Sequence, residues 1–123
     1  MPPVPAREIP ALLSEMQLGI IPYVCNKLTA AIYPLKVNEY LAMGIPVVMT
    51  PFASIGETDE VVYRAYSSNS FKQSISLALE EPGDSLKNKR LSLARKADWL
   101  ERSNQLCELI EQYQDKQATS LPL

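Results

Sequence analysis

The segment Tyr33-Pro34-Leu35-Lys36-Val37-Asn38-Glu39-Tyr40-Leu41-Ala42-Met43-Gly44-Ile45-Pro46-Val47-Val48-Met49-Thr50 constrains this chain more than any other, because it spells a helix marked at both ends and a strand directly behind it. Pro34 suits the first helical position, where a missing N–H costs nothing, and Gly44 supplies the left-handed stop. Pro46 blocks continuation. Val47 and Val48 then read as the β-branched run of a strand buried on both faces of a parallel sheet. Val37, Tyr40 and Leu41 share one helix face at i, i+3, i+4 and should pack on that sheet, while Lys36, Glu39 and Met43 share another.

No Ser, Thr, Asp or Asn stands just before Pro34, so the first-turn N–H groups lack the usual side-chain cap and are open to an anion such as phosphate. The spacing by itself favours a solvated helix on which Lys36 and Glu39 form an i, i+3 surface pair worth about 0.2–0.5 kcal/mol.

Around this unit the sequence predicts a helix from Ile9 to Gln17, a strand from Leu18 to Tyr23 and a loop from Val24 to Tyr33. The strand Pro46 to Met49 should lie parallel to the first. A loop from Thr50 to Glu60, a strand from Val61 to Ala65 and a helix from Asn69 to Glu80, capped by Asn69 or Ser70, follow. After Pro82-Gly83-Asp84 two further helical segments run to about Tyr113, with Trp99 and Leu106 expected in the core and a polar tail from Lys116. The β-loop-α-β order implies an α/β fold with ligands at the carboxyl ends of parallel strands, the side on which both long loops emerge. Ser54, Gly56, Glu57 and Thr58 in the second loop are either polar contacts or an ordinary solvated turn.

A chain of 123 residues suffices for one domain. Its formal charge of −2 argues against a nucleic-acid footprint, which needs a concentrated basic patch. Lys87, Lys89, Arg90, Arg95 and Lys96 do cluster, as a solvated face or, as the sharper alternative, a contact for an anionic membrane surface. Cys25 and Cys107 have no metal-ligand spacing and histidine is absent, so zinc and Ser-His-Asp chemistry lack their usual parts, and no cofactor is expected. The prolines at the start and the want of a long apolar run make the cytoplasm the default compartment.

The upstream stretch Ala11 to Tyr23 taken with Pro34-Leu35-Lys36, Glu39-Tyr40-Leu41-Ala42, Gly44 and Pro46-Val47-Val48 resembles the nucleotide-sugar domain of GT-B glycosyltransferases, most nearly the bacterial glycosyl transferases group 1. The likeness runs from about Val4 to about Ile110, and Trp99 followed by Arg102 matches the family's tryptophan and arginine near the closing helices. It implies a partial Rossmann-like parallel sheet flanked by helices, the C-terminal portion of a GT-B donor domain, over residues 1–115, with 116–123 as tail. It also implies that Glu39 accepts hydrogen bonds from the ribose hydroxyls of a nucleotide diphosphate sugar, whose diol suits a carboxylate's two acceptor oxygens. Lys36 and the free N–H groups near Pro34, Leu35 and Lys36 would lie by the diphosphate. Many retaining members carry a second glutamate eight residues before the ribose-binding one. Ala31 stands there instead, with Asn26, Lys27 and Thr29 nearby to face sugar or diphosphate, so retention or inversion stays open.

Only three strands can be counted where an open doubly wound domain has about six. The expectation is therefore a donor-binding portion, inactive alone, that lacks an N-terminal acceptor domain and leaves a strand edge prone to self-association. The alternative is a non-catalytic α/β module that uses that edge to bind a protein. A flavodoxin-like receiver is disfavoured by the want of an acidic cluster at the strand ends.

Overall fold

The computed structural model describes residues 2–120 of the chain. Three short strands, β1 (Gly19–Ile21), β2 (Val47–Met49) and β3 (Tyr63–Arg64), form one sheet in the order β1-β2-β3. Both pairings are parallel, with Gly19 opposite Val47, Ile21 opposite Met49 and Val48 opposite Tyr63. Among the described residues five α-helices accompany them: α1 (Ile9–Ser14), α2 (Leu35–Ala42), α3 (Ser68–Leu79), α4 (Ser85–Lys96) and α5 (Trp99–Ser120).

β2 is the hydrophobic centre, with Val47, Val48 and Met49 all fully buried, as a strand covered on both faces requires. On one face Val37 and Leu41 of α2 pack on Ile21, Val47 and Met49, and Leu93 and Ala94 of α4 close the layer behind. Tyr40, expected on that face, is half-buried and lies over Gly19, where a Cβ would come within 2.6 Å of its ring. On the other face Val48, Ala65 and Ala78 meet Leu18, Phe71 and Ile75, so α3 covers that side.

The end of α2 is a Schellman motif. Gly44 takes φ +70°, its N–H donates to Leu41 O at 2.9 Å, and the Ile45 N–H donates to Tyr40 O at 3.0 Å. The start differs from expectation. Pro34 is the N-cap in an extended conformation and Leu35 the first helical residue. α1 stops at Ser14, whose hydroxyl bonds back to Ala11 O at 2.6 Å, and β1 is confined to three residues because Pro22 has no N–H to continue the ladder. Val61 belongs to a 3₁₀ turn, Gly56–Val61, rather than to β3. Ser67, not Asn69 or Ser70, caps α3. Its Oγ accepts from the Ser70 N–H at 3.1 Å while the Ser70 hydroxyl accepts from the Ser67 N–H at 2.8 Å, a reciprocal capping box.

α5 departs most from the sequence reading. It extends to Ser120, through most of the segment expected as a polar tail, whose last residues, 121–123, lie outside the described residues. Its side chains from 99 to 119 are all exposed: Trp99 is 87% accessible and Leu106 59%, so neither is in the core. The helical spacing of Trp99, Leu106, Ile110 and Tyr113 makes a genuine apolar stripe, but the helix leaves the body of the domain and nothing among the described residues lies over it.

Candidate functional site

α2 emerges from the loop after β1 on the carboxyl side of the sheet, and no side chain caps its start. The Val37 N–H bonds to Pro34 O at 2.9 Å, so the first-turn donors without an acceptor by position are those of Leu35 and Lys36; Pro34 contributes none. One turn further in, Lys36 Nζ donates to Glu39 Oε2 at 3.1 Å, with the two side chains 60% and 42% accessible. An ion pair this exposed contributes about 0–1 kcal/mol and exchanges readily for other partners. Neighbouring Asn38 accepts from the Tyr33 hydroxyl at 3.0 Å.

Leu35, Asn38 and Glu39 line one wall of an open cleft of about 650 Å³ between α2 and the α4–α5 junction. Arg95, Asp98 and Trp99 line the opposite wall. Of the residues singled out from sequence, Leu35 and Glu39 thus share a cleft, with Lys36 bonded to Glu39 beside it. Asn26 and Thr29 do not join them. They bond to each other, Asn26 N–H to Thr29 Oγ1 at 3.0 Å and Thr29 N–H to Asn26 Oδ1 at 2.9 Å, and Thr29 Oγ1 also donates to Val24 O. Their polar atoms hold the turn of their own loop. Ser54 is similarly engaged, donating to Asp59 Oδ2 at 2.9 Å while Asp59 Oδ1 pairs with Arg64 at 3.1 Å.

Two features escape a linear reading. A second cleft, of about 450 Å³, opens at the carboxyl ends of all three strands, between Pro22, Thr50, Ser67 and the rings of Tyr66 and Phe71. Pro22, directly after β1, and Pro51, two residues beyond the end of β2, both line it. The other is Arg90, which is not part of a solvated basic face but 1% exposed. Its NH1 and NH2 donate to Glu81 Oε1 and Oε2 at 2.8 and 2.6 Å, its Nε to Gly44 O at 3.2 Å, and the Tyr63 hydroxyl joins at Glu81 Oε1, 2.7 Å. Arg90 falls in helical register with Leu86 and Leu93, which marks an inward position. Lys89 and Lys96 are drawn off the cluster as well, to Glu60 at 2.7 Å and Glu57 at 3.6 Å.

These contacts set the protonation states. Burial, then the Glu81 carboxylate, pushes the Tyr63 phenol up to about 12. Burial works to raise Glu81, but the hydrogen bonds from Arg90 and Tyr63 together with the Arg90 charge outweigh it and hold the carboxyl below its ordinary value. Glu60 is lowered by its hydrogen bond and charge contact with Lys89. Among the described residues no three of His, Cys, Asp and Glu are grouped to hold a metal ion, and no helix is long and apolar enough to cross a membrane.

Compared with known proteins, the chain is 30% identical over 102 residues to the "Putative teichuronic acid biosynthesis glycosyltransferase TuaH" of Bacillus subtilis (strain 168). The match takes in 79% of this chain and 26% of that protein, so the chain spans about a quarter of the length of the relative it matches. No family model and no solved structure matches. The sequence likeness supports a relationship to a protein described as a glycosyltransferase, and the parallel α/β sheet is consistent with it.

Proposed function

We propose that the chain is the donor-nucleotide-sugar-binding portion of a GT-B, group 1 type glycosyltransferase, which transfers a sugar to an acceptor only together with an acceptor-binding domain. The observation that carries this reading is Glu39, a carboxylate facing a ligand-sized cleft one turn inside a helix whose start is uncapped. Glu39 accepts hydrogen bonds from the ribose diol. Lys36 and the Leu35 and Lys36 N–H groups face the diphosphate, about 6 Å away along the helix axis. The Lys36–Glu39 pair holds these two groups in reserve: exposed at 3.1 Å, it opens at little cost, freeing the carboxylate for the diol and the ammonium for phosphate oxygens. The likeness to TuaH supports the transferase side of this reading.

Isothermal titration of the whole chain with nucleoside diphosphates tests it. Glu39→Gln should weaken both nucleoside and nucleoside diphosphate binding by about 10- to 150-fold, the scale of charge-assisted hydrogen bonds. Lys36→Ala should weaken the diphosphate and leave the nucleoside almost untouched. Parent-like binding by both variants would reduce the pair to a surface salt bridge and leave the alternative of a protein-interaction module in front.

A further inference from the structure

Resting on the reading of Glu39 as the ribose partner, we infer that Trp99 is the stacking platform for the nucleobase of the bound donor. Trp99 is the chain's single tryptophan, and the residue is 87% accessible where the sequence leads one to expect burial. It lines the same cleft as Glu39, across from it on the wall formed by the α4–α5 junction. A ribose held on Glu39 carries its base on the neighbouring carbon, so the base projects from one wall into a space bounded on the other by a flat aromatic ring. At about 650 Å³ the cleft is within the range of small-molecule sites.

The junction is braced by the backbone. The Ala97 N–H bonds to Leu93 O at 3.2 Å and the Arg102 N–H to Asp98 O at 2.9 Å, so one helix ends and the next begins with Trp99 as its first residue. Base–aromatic stacking tolerates any base because each has a π-face, which assigns Trp99 to affinity for nucleotides generally rather than to choice among them. The adjoining Arg95 and Asp98 offer a donor and an acceptor at the rim for base edges or water.

Because Trp99 is the sole tryptophan, tryptophan emission of the full chain, excited beyond the absorption of its six tyrosines, reports on this site alone. Titration with uridine, guanosine and cytidine diphosphates should quench its emission for all three, whereas inorganic pyrophosphate should leave it unchanged. By calorimetry Trp99→Leu should lose about 5- to 150-fold in affinity, and Trp99→Phe should keep most of it. Far-UV circular dichroism should be unaltered, since the exposed ring supports no core. Calorimetric binding with unmoved Trp99 emission and a parent-like Trp99→Leu would overturn this inference and leave the Glu39 reading intact. Absence of nucleoside diphosphate binding would overturn both. A blue shift of the emission with protein concentration and none with nucleotide would likewise overturn it, placing Trp99 in a contact between copies along the α5 stripe.

Discussion

Arg90→Ala should lower the stability of this domain by about 3–5 kcal/mol, the range for removing one partner of a buried ion pair. The substitution takes away three donors at once, those at 2.8 and 2.6 Å to Glu81 and at 3.2 Å to Gly44 O. Glu81, 11% accessible, then keeps only the Tyr63 hydroxyl, and the carbonyl at the α2 stop is left without its guanidinium. Because Glu81 reaches the surface at one edge and can protonate or turn outward, the lower end of the range is expected. Against a total of about 5–15 kcal/mol for a small domain, even that is a large fraction. With a urea m-value of about 1–3 kcal/mol/M, the midpoint should fall by roughly 1–3 M at unchanged slope. Far-UV circular dichroism is the suitable probe, since Trp99 is exposed before unfolding and its fluorescence changes little. Lys89→Ala, which breaks the solvent-exposed pair with Glu60, is the control and should stay within about 0.5 kcal/mol. Converting both Arg90 and Glu81 to Met should be less harmful than Arg90→Ala, because the orphaned charge, more than the lost attraction, carries the cost. An Arg90→Ala midpoint matching that of Lys89→Ala would refute the network as a structural element.

Gly19→Ala should destabilise by about 1–3 kcal/mol in urea melts, since its Cβ would stand 2.6 Å from the Tyr40 ring in a packed layer. Ser67→Ala should lose about 0.5–2 kcal/mol by breaking the α3 capping box, with Ser67→Asp recovering most of it, measured the same way. Glu81 is depressed in the folded state, so its contribution is complete above the ordinary value of 4.5 and disappears as pH falls through the lower folded value; urea midpoints of Arg90→Ala should therefore show a weaker acid limb than the parent's. Tyr63 titrates in the opposite sense. Between pH 10 and about 12 the unfolded chain gives up a proton that the folded phenol retains, so stability declines as pH rises through that window, and Tyr63→Phe should flatten the alkaline limb.

The central unit was legible in the sequence apart from the exact start of α2 and the ends of β1. Pro34, Gly44 and Pro46 punctuate the backbone by their own stereochemistry, and Val37, Leu41, Val47 and Val48 declare a buried face by spacing alone, so α2, β2 and their parallel neighbour β1 followed without any knowledge of partners. Glu39, Lys36 and the uncapped helix start were legible for the same reason, being neighbours within one turn. What tertiary structure decided was everything that depends on residues distant in the chain. Arg90 reads as one more cation in a basic run until α4 packs on α2 and brings it to Gly44, 46 residues earlier. Trp99 and Leu106 carry the composition of a core, and only the departure of α5 from the domain leaves them exposed. Asn26 and Thr29 look free for a ligand until the loop closes them on each other. The cleft that joins Glu39 to Trp99 has no signature at all along the sequence, because it is the gap between two helices whose separation is set by what packs beneath them.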